Sequence, residues 1–221
     1  MHIMEGFLDP LWCAVWFIIA IPFVAFGAKK IMELVREHPE HKMTVALAGA
    51  FIFLLSSLKL PSVTGSSSHP TGTGFSAALY GVCVTSFLAT IVLIFQALLL
   101  AHGGLTTLGA NICSMGIIGP MVGVLVWRLM IKGGAGFAIS LAITALIADW
   151  FTYVVTAFQM TLNHGQSVDA FINFLTNYAA TQIPLSIVEG ILFFMFGVYL
   201  VRNKPEIFDI SDAVAKKMQE A

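Results

Sequence analysis

The chain opens Met1-His2-Ile3-Met4-Glu5-Gly6, and a second histidine, His69, stands in Gly65-Ser66-Ser67-Ser68-His69-Pro70-Thr71-Gly72-Thr73-Gly74. A histidine in second position has a particular chemistry. The terminal amine and the His2 peptide nitrogen close a five-membered chelate around a metal ion. The same peptide nitrogen and the His2 imidazole close a six-membered one. Three nitrogens then lie in one plane, and one more imidazole completes a square. Tetragonal nitrogen sites of this kind suit Ni(II) or Cu(II). Nickel or cobalt binding is therefore an expectation from the first two residues.

The elements that must position these residues are membrane spans. Of the 221 residues, 58% are hydrophobic and 10% charged, against about 25% charged in soluble domains. The mean hydropathy is +0.89. Apolar segments run at 10–28, 43–59, 75–101, 104–132, 134–160 and 169–201, and a helical span needs roughly 17–25 residues. The expected fold is all-α: one polytopic transmembrane bundle over 1–204, followed by a short polar cytoplasmic tail, 205–221. The net charge of −1 points to no nucleic-acid partner. Cys13, Cys83 and Cys113 fall inside apolar runs and read as small hydrophobes, not disulfides.

Residues 1–9 contain Glu5 and Asp9 but no Lys or Arg, the reverse of a signal peptide's positive start. Met1 is thus expected to persist, outside the cell. Segment 104–132 is interrupted by Gly116, Gly119 and Pro120, and is either one kinked span or two short ones. Cytoplasmic loops are enriched in Lys and Arg, which decides the count. With seven spans and the N-terminus outside, Lys29, Lys30, Arg36, Lys42, Arg128, Lys132, Arg202, Lys204, Lys216 and Lys217 are inside and only Lys59 is outside. With six spans the best split is 7 to 4. About seven spans are therefore expected, with the C-terminus inside and 104–132 supplying two of them. Segment 169–201 exceeds one straight span, so Pro184 is expected to kink it or to open the true span. This topology places His2 and His69 on one side, the outer one.

The opening His2-Ile3-Met4-Glu5-Gly6-Phe7-Leu8, followed by Trp12, together with Ser68-His69-Pro70-Thr71-Gly72-Thr73-Gly74, resembles the CbiM/NikM family. Those proteins are substrate-binding membrane components of energy-coupling factor (ECF) transporters for nickel and cobalt. The resemblance covers essentially the whole chain. It implies that Met1 supplies its amine, His2 its peptide nitrogen and imidazole, and His69 the fourth nitrogen. It implies a multi-pass protein of the prokaryotic cell (inner) membrane with no cofactor beyond the transported ion, Ni(II) or Co(II). It further implies partners: a membrane coupling subunit and ATPase subunits. Ala46 and Ala50, at i and i+4 on the second span, let helices approach closely and could meet either the coupling subunit or the chain's own bundle. No phosphate-binding loop of the G-x-x-x-x-G-K-[ST] type occurs, so separate subunits would hydrolyse ATP.

Other polar residues carry weaker expectations. Glu5 either accepts a hydrogen bond from a ligating imidazole or simply favours a helix N-terminus. His38 and His41 belong to a basic inner loop, His102 to an inner helix end, and His164 to an outer loop. Asp149 and Glu189 are ionisable groups within spans, which are expensive and often functional. Either could support the site, meet a partner subunit or pair internally. Asn111, Gln96 and Gln159 fit helix-to-helix hydrogen bonds. Rival functions are a stand-alone secondary carrier and an intramembrane hydrolase using Ser68 with a histidine, though no third orienting group is evident.

Overall fold

A computed structural model describes residues 1–62 and 65–203; the tail expected at 205–221 lies outside the described residues. A short strand β1 (His2–Ile3) leads to helix α1 (Pro10–Glu37), with Pro10 where a helix tolerates a missing N–H. Helix α2 (His41–Ser57) returns, and strands β2 (Leu60–Pro61) and β3 (Ser66–Ser68) follow. The helical run α3 spans Thr73–Leu100. Then come α4 (Leu108–Asn111), a π-helical turn (Ile112–Ile118) and α5 (Gly119–Lys132) in one unbroken run. Helices α6 (Phe137–His164) and α7 (Val168–Asn203) complete the bundle. Five of these runs are long and apolar enough to cross a membrane, and α2, at 17 residues, is shorter. The chain is a multi-pass, helical membrane protein.

Two details differ from the sequence expectation. Leu108–Lys132 is one crossing, not two. The residues that suggested a break serve close packing instead. A side chain on Gly116 would press on Ser86 and Ala89, and one on Gly119 on Thr152 and Ala148. Pro120 follows the π-helical turn Ile112–Ile118, where the ordinary helical hydrogen-bond ladder is already interrupted.

The additional crossing lies in 69–80. Gly81, with φ 77° and ψ 178°, breaks α3, and the hydroxyls of Ser76 and Thr85 lie 2.9 Å apart. Nine residues of straight helix would hold them about 13 Å apart, so the two arms fold back on each other. Upstream, the His69 carbonyl accepts a hydrogen bond from Gln182, the Glu189 carboxylate accepts the Thr71 and Gly72 amides, and Phe75 packs on Phe193 and Phe196. Those α7 partners advance by about 20 Å along a helix, which six extended residues cover. Residues 69–80 therefore cross as an extended stretch followed by two helical turns, and residues 82–100 return.

The tally of about seven crossings stands, with the extra one moved. The charge count could not place it, because no Lys or Arg occurs between Lys59 and Arg128. Helix α7 runs through Pro184 without interruption.

A three-stranded antiparallel sheet, order β1-β3-β2, sits at one end of this bundle. The start of α1 and the end of α6 share that end, since the Asp9 amide donates to the Asn163 side chain. The ends of α2 and α3 share it too: Gln96 donates to Ser56, and the Lys59 ammonium caps the carbonyls of Leu100 and Ala101. Every other described Lys and Arg belongs to the opposite end. Between the ends, small residues bring the helices together as membrane bundles require. Gly27 lies against the Cys83 carbonyl, Gly74 against Ala145 and Gly197 against Ala138.

Candidate metal centre

Strand β1 brings the N-terminus into the bundle. Met1, His2 and Ile3 are fully buried. The Ile3 amide donates to Asn111 Oδ1 at 2.8 Å, while Asn111 Nδ2 and the Thr107 hydroxyl both donate to the Ile3 carbonyl. Asn111 thus pins the N-terminal strand; the helix-to-helix role fits Gln96 and Gln159, which reach Ser56 and the Ala110 carbonyl. Strand β3 pairs His2 with Ser67 and Ile3 with Ser66. Met4 donates to the Gly65 carbonyl, and hydrogen-bonded pairs alternate along an antiparallel ladder. His2 and Ser67 are therefore a hydrogen-bonded pair, and the His2 peptide nitrogen keeps its proton in the ladder.

The two predicted histidines meet: the His2 and His69 ring centroids are 4.3 Å apart. His69 Nδ1 lies 2.8 Å from the Pro70 carbonyl, which only accepts. The proton is therefore on Nδ1, and Nε2 is a bare lone pair. That Nε2 is buried and has no hydrogen-bond partner among the described residues. His2 Nε2 lies 3.2 Å from Met115 Sδ, again an acceptor, which leaves His2 Nδ1 as its unprotonated nitrogen. Nδ1 is also the nitrogen that a chelate with His2's own peptide group requires.

His102 is the residue that the sequence argument missed. Its Nε2 lies 2.9 Å from His2 Nδ1 and 2.8 Å from the Ser67 hydroxyl. One nitrogen from each of His2, His69 and His102 falls within 4.8 Å of the others. Placing the extra crossing in 104–132 put His102 at an inner helix end. With that crossing in 69–80, residues 101–107 lie beside the N-terminus.

The pocket disfavours positive charge before an ion arrives. Burial lowers the Met1 amine to about 6, against the pull of Asp149 and Glu189. Burial, then the neighbouring His69 and His102, keeps the His2 imidazole neutral well below its usual range. Burial, Lys59 and the amine lower His102 to about 3. A buried set of uncharged nitrogen donors is what a divalent late transition metal binds best.

The remaining candidates support the segment or stand apart. Glu5 accepts hydrogen bonds from the Thr106 hydroxyl and amide, not from an imidazole, and so clasps the N-terminus to 101–107. Asp149 accepts from Gln182 at 2.7 Å and Ser186 at 2.9 Å, and Gln182 also donates to the His69 carbonyl at 3.0 Å. Glu189 accepts the Thr71 amide at 2.5 Å and the Gly72 amide at 2.9 Å. Both carboxylates therefore hold the stretch that carries His69. His164 is exposed and donates to the Phe7 carbonyl, outside the cluster. Ser68 faces Thr181 and not His69, which removes the serine–histidine pair that a hydrolase would need there.

Residues 2–207 match the family model for the cobalt uptake substrate-specific transmembrane region, CbiM. The chain belongs to the CbiM family. The CbiM of Methanocaldococcus jannaschii is 51% identical over 209 residues, covering 94% of this chain and 90% of that protein. The cobalt transport protein CbiM of Limosilactobacillus reuteri is 53% identical over 197 residues, covering 87% and 79%. A crystal structure of a transition metal transporter superposes with a TM-score of 0.82 at 26% identity, covering 91% of this chain and 93% of that one. At the level the family carries, the chain is a membrane component for transition-metal transport.

Proposed function

We propose that this CbiM-family chain is the substrate-capturing component of an ATP-driven, ECF-type importer and that it takes Co(II) or Ni(II) from outside. Met1 binds through its amine, His2 through Nδ1 and, once the ladder bond to Ser67 is given up, through its peptide nitrogen, and His69 through Nε2. The observation that carries this is the His69 nitrogen: unprotonated, buried, without a partner among the described residues, and in a ring whose centroid is 4.3 Å from that of His2. A lone pair so placed is ready to take a cation. Because the site is closed, the N-terminal strand or the 65–72 stretch must part to admit the ion.

Energy comes from separate ATPase subunits through a membrane coupling subunit. Ala46 and Ala50 are exposed on the side of α2 opposite its buried residues Val45, Ala48 and Ile52. That position supports contact with a partner over contact inside the chain.

The test is titration of Co(II) and Ni(II) into purified protein with a free N-terminus, beside a form extended by one residue. One tightly bound ion in the first and none in the second supports the reading. Equal binding by both removes Met1 from the site.

A further inference from the structure

We propose that Met115 is a positioning residue of the capture site: its thioether holds the His2 proton on Nε2 and so leaves Nδ1, the chelating nitrogen, bare for the ion. The inference rests on the proposed capture site.

The placement comes from the helical run that follows His102. Asn111 and Met115 stand about one turn apart, and both meet strand β1. Asn111 holds Ile3, and Met115 Sδ lies 3.2 Å from His2 Nε2. Here the run widens into the π-helical turn Ile112–Ile118, a feature that recurs at functional sites. Its neighbours in that turn serve packing: the Cys113 thiol meets the Trp16 carbonyl, and Gly116 fits against Ser86 and Ala89. His2 and Met115 are both fully buried, so bulk water does not reach their contact.

The contact has a chemical direction. A thioether sulfur accepts and does not donate. A bare Nε2 facing it would set lone pair against lone pair, so the proton belongs on Nε2. His69 is arranged in the opposite sense, with its Nδ1 proton on the Pro70 carbonyl and its Nε2 bare. Each ring thus offers the nitrogen that the planar set needs, and ligating imidazoles ordinarily have their other N–H fixed in this manner. His102 touches His2 at Nδ1 itself and must yield that nitrogen to the ion. Among the described residues, Met115 is then the hydrogen-bond partner left to the His2 ring.

The choice of sulfur bears on release. A carboxylate in this place would raise the basicity of the ring and tighten its bond to the ion. A thioether is a weak, uncharged acceptor that fixes the ring and leaves its basicity low. That suits a component that must give the ion up again.

The experiment uses the full chain with a free N-terminus. Met115→Leu keeps the volume without the acceptor, and Met115→Gln restores an acceptor oxygen that turns to the N–H once the ion holds Nδ1. Histidine-selective 15N NMR of the empty protein reads where His2 carries its proton: on Nε2 in the wild type, and divided between the two nitrogens in Met115→Leu. Titration should show both Ni(II) and Co(II) bound about tenfold more weakly by Met115→Leu. Met115→Gln should bind each ion at least as tightly as one third of the wild-type affinity. An unchanged proton position or an unchanged affinity in Met115→Leu overturns the proposal. Equal losses in Met115→Leu and Met115→Gln also overturn it, because shape and not the acceptor would then matter. If the wild type binds neither ion, the capture site itself falls, and this role with it.

Discussion

An imidazole nitrogen buried without a donor costs the empty protein about 1–3 kcal/mol, and His69 Nε2 is such an atom. His69→Ala should accordingly lower affinity for both Co(II) and Ni(II) at least a hundredfold by calorimetry, with normal yield of folded protein. Retained affinity would exclude His69 as a ligand. Protons compete at the same site, and the amine sets where. The neutral amine is the binding form, and burial lowers its pKa from 8.0 to about 6. Affinity for Co(II) or Ni(II) should then fall by a further factor of roughly ten per unit below about pH 6, where the amine takes up its proton. Release of the His2 peptide proton should keep both ions tightening through pH 8. A curve flat between pH 7 and 8.5 would exclude the peptide nitrogen as a ligand. At this scale chelate ring size, fixed by covalent structure, pointed to Met1 and His2, and the motif Ser68–Gly74 pointed to His69, whose ring meets that of His2. The sequence was silent about His102, whose place depends on where the chain reverses.

The elements explain why that reversal was hard to see. Residues 75–101 form one apolar run, and hydropathy does not register that its two arms point in opposite directions. The single sign was Gly81, whose φ 77° and ψ 178° belong to a region nearly restricted to glycine. Gly81→Ala should cost about 1–3 kcal/mol, visible as a lowered melting temperature in detergent; an unchanged value would mean that the break is not needed. Gly116, Gly119 and Pro120 looked like stronger breakers, yet they lie in a continuous helical run. Upstream of Gly81, the extended crossing depends on Glu189. Lipid offers no water to bare amides, so the carboxylate takes the Thr71 and Gly72 N–H groups. Glu189→Gln turns one acceptor into a donor facing those amides. Metal affinity should drop on the order of tenfold, although residue 189 never touches the ion. Unaltered affinity would show that His69 is held by its own loop alone.

At the scale of the whole molecule the question is sidedness, because capture from outside requires the three histidines on the outer face. Lys29, Lys30, Arg36, Lys42, Arg128, Lys132 and Arg202 lie at one end of the bundle, and the sheet, the cluster and Lys59 at the other. The positive-inside rule then makes the cluster end external. Cysteine labelling tests this sidedness directly. Leu105, 48% exposed, marks the loop beside His102, and Gly134 is exposed at the opposite end. With Cys13, Cys83 and Cys113 changed to alanine, Leu105→Cys should react with a membrane-impermeant maleimide in intact cells. Gly134→Cys should react only after the membrane is opened. If position 105 is labelled only after opening, the cluster end is internal and capture from outside fails. If 105 is external, one reversal at Gly81 accounts for the charge asymmetry, the crossing tally and the meeting of three histidines drawn from separate parts of the chain.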